Sequence, residues 1–173
     1  DIFCFSGHSN SQEDCSTGWL YINSKEEGLE IKELKNALRT ATDKGLQLVI
    51  FNSCDGLGLA QAISDLDIPQ IIIWREPVPD KVAQQFLFYF LESFASDNSL
   101  YQSVREAREK LQLEGLDKKL PGVTALPTII DNSGGRTITW KQIRRTRSRI
   151  STACHRVPMS TQELKNRRIL LGK

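Results

Sequence analysis

The sequence predicts an α/β fold, a three-layer α/β/α sandwich around a mainly parallel sheet. Three observations carry this expectation. Two runs, Leu46–Phe51 and Ile71–Trp74, are almost continuously apolar and β-prone, as strands covered on both faces are. Apolar residues recur at helical spacing in the segments around them. The order strand, helix, strand, helix, strand, helix, helix, strand is that of crossover units. A chain of 173 residues, 39% hydrophobic and 25% charged, has the composition and length of one globular domain with an appendage.

Each element has its own warrant. Ile2–Phe5 is a short apolar run ending at Ser6-Gly7, a buried strand meeting a loop. Ser9–Thr17 is polar and reads as a connection, and Trp19–Ile22 as a second short strand folding back in a hairpin. Leu29, Ile31, Leu34, Ala37, Leu38 and Ala41 keep helical spacing, and Gly45 caps the end of that helix. A helix over Leu57–Leu66 follows the first apolar run, and Pro69 precedes the second. Pro77 and Pro79, with Asp80, open a long amphipathic helix to about Phe94, its Phe86, Phe88, Tyr89, Phe90 and Phe94 reading as core. Asp97-Asn98-Ser99 caps a helix from Leu100 to Leu113, which stops before Gly115. Leu126–Ile130 is the last strand.

Charge divides the chain. Up to Gly135, 12 Lys and Arg stand against 20 Asp and Glu, a balance of −8; from Arg136 onward it is 11 against 1, or +10. The expected domains are therefore 1–133 and a basic tail or linker, 134–173, in which Ser160 and Glu163 have capping-box spacing for a short helix from Thr161 to Leu171. The tail is read as a linker to a downstream domain, a helix docking on the acidic body, or a salt-sensitive contact with nucleic acid or an acidic partner. No apolar run approaches the ~20 residues of a membrane span, so no membrane partner is expected. Cys4, Cys15, Cys54 and Cys154 are irregularly spaced without a C-x-x-C pair, and there are two histidines. Neither a metal site nor a disulfide framework is expected, and a reduced cytoplasmic protein is the simpler reading. Asp1 lies directly before the first strand without a basic leader, which reads as a fragment or a processed product.

Reactive groups in α/β sheets collect where strands end and loops begin. His8 follows the first strand and Cys54 follows the next long one, 46 residues later and across a helix. A thiol needs a neighbouring base or cation to become the nucleophilic thiolate, and an imidazole also supplies the proton a leaving amine requires. The backbone N–H groups of Gly7 and Cys54 are the candidates for polarising a scissile carbonyl. Spacing alone leaves this dyad and a purely structural His and Cys about equally supported. Gly56-Leu57-Gly58-Leu59-Ala60 lacks the third glycine of a dinucleotide loop.

Four motifs occur in order: Phe5-Ser6-Gly7-His8-Ser9, Asn52-Ser53-Cys54-Asp55-Gly56, Trp74-Arg75-Glu76-Pro77-Val78-Pro79-Asp80, and Ser99-Leu100-Tyr101-Gln102-Ser103-Val104-Arg105-Glu106-Ala107-Arg108. Together they resemble the CHAT domain, the caspase-like cysteine-peptidase domain common in bacteria and related to caspases and separase. The resemblance spans Ile2 to about Ile130 and implies a caspase-hemoglobinase fold. It also implies His8 and Cys54 as the catalytic pair, a protein or peptide substrate, no cofactor, and control by TPR or other sensor modules. Such domains normally carry strands and helices before the His strand, so either these lie on a separate segment or the chain is a fragment whose sheet is incomplete alone. In related metacaspases an Asp two residues before the Cys attracts a basic substrate side chain; Asn52 stands there, with Asp55 as the remaining negative charge. Trp74-Arg75 resembles the caspase pair whose Arg binds an acidic side chain, although a salt bridge to Glu76 is an equal reading of Arg75. Asn52, Asp55, Trp74 and Arg75 are the substrate-binding candidates, and the Ile73–Arg75 edge is where a peptide strand is expected to add. A catalytically silent scaffold on the same fold is the alternative.

Overall fold

The computed structural model describes residues 1–11, 18–21, 28–53 and 56–144. Strands β1 (Ile2–Ser6), β2 (His8–Ser11), β3 (Gly18–Tyr21) and β4 (Gly28–Glu30) precede helix α1 (Ile31–Asp43). Then come β5 (Leu48–Asn52), α2 (Gly56–Ala62), β6 (Gln70–Trp74), α3 (Asp80–Ala95), α4 (Leu100–Leu113), the short α5 (Leu116–Lys119), a 3-10 turn (Val123–Ala125) and β7 (Pro127–Asp131).

β5 and β6 are buried along their whole length, so both of their faces must be covered. They lie at the centre of a sheet ordered β1-β5-β6-β7, in which β1, β5 and β6 run parallel and β7 runs antiparallel to β6. Alternation along the strands sorts the side chains. Val49, Phe51, Ile71 and Ile73 join Leu34 and Leu38 of α1, Leu59 and Ile63 of α2 and Leu20 of β3 in one core. On the opposite face Trp74 meets Phe86 edge-on at 5.2 Å, and Phe86, Phe90 and Phe94 stack in succession along α3. The result is a mainly parallel sheet between two helical layers, the architecture the sequence predicts.

The helix caps follow local chemistry. Ser99 Oγ accepts from Gln102 N at 3.2 Å, giving α4 the side-chain cap expected of Asp97-Asn98-Ser99. Arg105 and Glu109 form an exposed pair at 3.5 Å, but their neighbours do more than face water. Arg108 Nε donates to Thr124 O at 2.7 Å, and Glu106 accepts from Ser93 Oγ at 2.6 Å and from Gln102 at 2.8 Å. Those bonds tie α4 to the 3-10 turn and to α3.

Several expectations are corrected. The polar Ser9–Thr17 stretch begins with β2, which pairs antiparallel with β3; β3 in turn pairs with β4, making a second three-stranded sheet. Leu29, read as helical, belongs to β4 opposite Leu20, so α1 starts at Ile31. The helix expected over Leu57–Leu66 ends at Ala62. Phe88, read as core, is 62% exposed, because it lies off the Phe86-Phe90-Phe94 row. Cys4 is exposed on β1. Partial burial of its sulfur nevertheless pushes its thiol pKa up, which leaves it a poor nucleophile.

One compact unit covers Asp1–Trp140 and a second begins at Lys141. Leu100 N donates to Ile138 O at 3.0 Å, and Trp140 meets Phe94 edge-on, so the chain past Ser133 remains part of the first unit. Of the second, residues 141–144 are described, in helical backbone. The helix expected over Thr161–Leu171, Cys154 and Cys15 lie outside the described residues. No described helix is long and apolar enough to cross a membrane.

Hydrogen bonds hold three carboxylates below their ordinary pKa. Ser133 and Tyr101 do so for Asp131, Ser93 and Gln102 for Glu106, and Lys35 for Asp65. A depressed folded-state value stabilises the protein above the unfolded value and is lost as pH falls through the folded one. The melting temperature is therefore expected to be level near neutrality and to fall once pH drops below about 4, the ordinary carboxylate range. Asp131→Asn should make that acid decline shallower, measured by thermal melts across pH.

Candidate active site

The parallel pairing of β1 with β5 builds the site. Its register ends at Ser6 opposite Asn52, and Gly7 N donates to Asn52 O at 3.4 Å one step further. The two chains thus leave the sheet side by side, and His8 and Cys54 each follow two residues beyond the last paired positions. His8 opens β2 opposite Tyr21, with its side chain exposed. Cys54 and Asp55 lie outside the described residues, flanked by the described Ser53 and Gly56. A Cβ at Gly7 would lie 3.1 Å from both the Phe5 ring and Tyr21 O, a tight contact that glycine avoids.

Asn52 is 4% exposed and its amide is engaged on three sides. Oδ1 accepts from Trp74 Nε1 at 2.7 Å, and Nδ2 donates to Ser6 Oγ at 3.2 Å and to Ala83 O at 3.3 Å. Trp74 is 1% exposed. Of the substrate-binding candidates, Asn52 and Trp74 therefore direct their polar groups at each other rather than outward. Arg75 is exposed, and among the described residues it forms no ion pair with Glu76.

A peptide cannot add at Ile73–Arg75 as expected. β6 is paired on both sides; Arg75 N is taken by Leu126 O at 3.3 Å, and Gly56 sits against the backbone of Trp74. The Gly7 N–H, expected to be an oxyanion donor, is turned toward Asn52 O by a long contact.

Two residues gain importance that the sequence did not reveal. A Cβ on Gly56 would lie 2.7 Å from Trp74 O and 2.9 Å from Trp74 N, so only glycine lets α2 start this close to β6. Ser53 is 5% exposed and, among the described residues, its hydroxyl has no hydrogen-bond partner. An orphaned buried hydroxyl costs about 1–3 kcal/mol. Ser53→Ala is expected to hold or raise the melting temperature, by roughly 2–4 °C per kcal/mol; a fall on thermal denaturation would show that the hydroxyl has a partner in solution.

The mainly parallel sheet between helices defines an α/β protein, in which His8 and Cys54 follow the ends of adjacent strands in the sequence. The family model for the CHAT domain matches residues 1–150, and the chain belongs to that family. The CHAT family is related to cysteine peptidases. No curated protein matches the chain.

Proposed function

We propose that the protein is a cysteine endopeptidase in which Cys54 and His8 form the dyad. The supporting observation is the register of β1 on β5, which ends at Ser6 and Asn52 and releases the two chains as neighbours. His8 takes the thiol proton, and the Cys54 thiolate attacks the scissile carbonyl carbon to give a tetrahedral oxyanion. The Cys54 N–H stabilises that oxygen, with Gly7 N–H as a second donor once it releases Asn52 O. Collapse breaks the C–N bond, and the His8 imidazolium gives its proton to the departing amine. Water, deprotonated by His8, then attacks the thioester, releasing the acid and restoring the thiol. The exposed Arg75 guanidinium favours an acidic side chain in the substrate. Control by a partner or sensor region belongs to the same proposal.

The test is a peptide-library digest by wild type beside Cys54→Ala, with an electrophilic peptide probe on both. Cleavage and labelling in wild type alone are the expected result. A wild-type chain that neither cleaves nor takes the probe is the signature of a silent scaffold.

A further inference from the structure

We infer that Asn52 is a positioning residue for the dyad and not a substrate-binding one, an inference that rests on the peptidase reading above. Its amide is buried, so no substrate side chain reaches it without dismantling the fold. What it does touch are the exits of three strands. Asn52 belongs to β5 and ends it, Ser6 ends β1, and Trp74 ends β6; Ala83 anchors the group to α3. These are the strand ends that lead into His8, Cys54 and Arg75.

The chemistry of the amide suits the task. A primary amide presents an acceptor and two donors in one plane. Here the acceptor meets the indole N–H, the donors meet a hydroxyl and a carbonyl, and all three partners are fixed by strand or helix. In a buried setting such a network is stiff, because breaking any bond leaves an unpaired polar group. No other residue combines these properties at this length. An aspartate keeps the acceptors but sets an oxygen against Ala83 O and buries a charge; an alanine leaves Trp74 Nε1 unpaired. Asn52 therefore fixes how far apart the His8 and Cys54 exits lie and how the Arg75 loop is aimed. Near-attack geometry tolerates little error, and a displacement of about 1 Å costs about 10²-fold in rate.

The experiment uses the full chain as wild type, His8→Ala, Asn52→Ala, Asn52→Asp, Trp74→Phe and the Asn52→Ala/Trp74→Phe double variant, each shown to be folded at the assay temperature. Trp74→Phe is the milder arm: it deletes the indole donor while keeping a ring against Phe86. The first readout is the pH profile of Cys54 alkylation by iodoacetamide, followed by mass at that residue; the second is kcat and KM on a cleaved peptide. Asn52→Ala and Trp74→Phe are expected to move the alkylation profile toward that of His8→Ala. They should lower kcat about 10²-fold with KM little changed, and combine less than additively. A residue that only stabilised the fold would leave the profile of the folded variants at wild type, and that result overturns the inference. Asn52→Asp that keeps kcat and switches cleavage to basic side chains overturns it too, since it makes position 52 a substrate contact. A wild-type profile already equal to that of His8→Ala is a different outcome: it removes the dyad itself, and the positioning role with it.

Discussion

Replacing His8 with alanine is expected to lower peptide cleavage by about 10²–10⁴-fold, the usual contribution of a positioned acid–base group, while leaving the melting temperature close to wild type. The separation of the two effects follows from where the residue sits. His8 opens β2 with its side chain exposed, so truncation opens no cavity, and the strand keeps its backbone pairing with Tyr21. β-propensity on an exposed strand varies by only about 1 kcal/mol. The chemistry has no such tolerance. On the proposed mechanism, removing the imidazole takes the proton acceptor from the Cys54 thiol and the donor from the leaving amine, so acylation suffers twice. Adding Cys54→Ala to His8→Ala should lower the rate no further than the single cysteine change, because groups that act as a unit do not add. Steady-state cleavage of one peptide by the two single variants and the double variant, beside their thermal melts, checks this. A His8→Ala chain that cleaves at the wild-type rate removes the dyad.

Gly56→Ala is expected to act in the opposite way, through the fold first. The added methyl would meet Trp74 O at 2.7 Å and Trp74 N at 2.9 Å, and Ile73 Cβ at 3.1 Å. Those atoms belong to the end of β6, which is buried and paired on both sides, so they cannot yield. The start of α2 must move instead. Overpacking of this kind costs about 1–3 kcal/mol, and at roughly 2–4 °C per kcal/mol for a chain of this size the melting temperature should fall by about 2–12 °C. On the proposed mechanism cleavage should fall as well, because Cys54 stands two residues before Gly56 in the sequence. Leu57→Ala is the matched control: its side chain is exposed on the next position and its loss should leave both readouts near wild type. A Gly56→Ala protein as stable as wild type would mean that α2 lies farther from β6 in solution.

Much of this was legible in the residues. Leu48–Phe51 and Ile71–Trp74 announced central strands because both of their faces are buried, leaving no polar alternation to blur the signal. α4 was readable to the residue, since Ser99 supplies a cap that local chemistry enforces. β2 and β4 were not readable: His8–Ser11 is polar and Gly28–Glu30 abuts a helical pattern, so only their pairing with β3 makes them strands. That β1 and β5 end side by side followed from strand order, whereas the hydrogen bonds of Asn52 did not. An asparagine two residues before a cysteine says nothing of the indole and the helix carbonyl it meets, because Trp74 and Ala83 lie 22 and 31 positions away. The same distance in sequence hid the need for glycine at position 56.

Of the three tryptophans, Trp19 and Trp140 stand at the surface, while Trp74 is enclosed, edge-on to Phe86 and bonded to Asn52. A shielded indole emits at shorter wavelength than one in water, so the protein's own fluorescence contains a blue component that reports on the inner wall formed by Trp74, Phe86 and Asn52. Quenching the surface pair with iodide would isolate it. Whatever loosens that wall, be it heat, substitution or a bound peptide, would then be visible in emitted light without attaching any label.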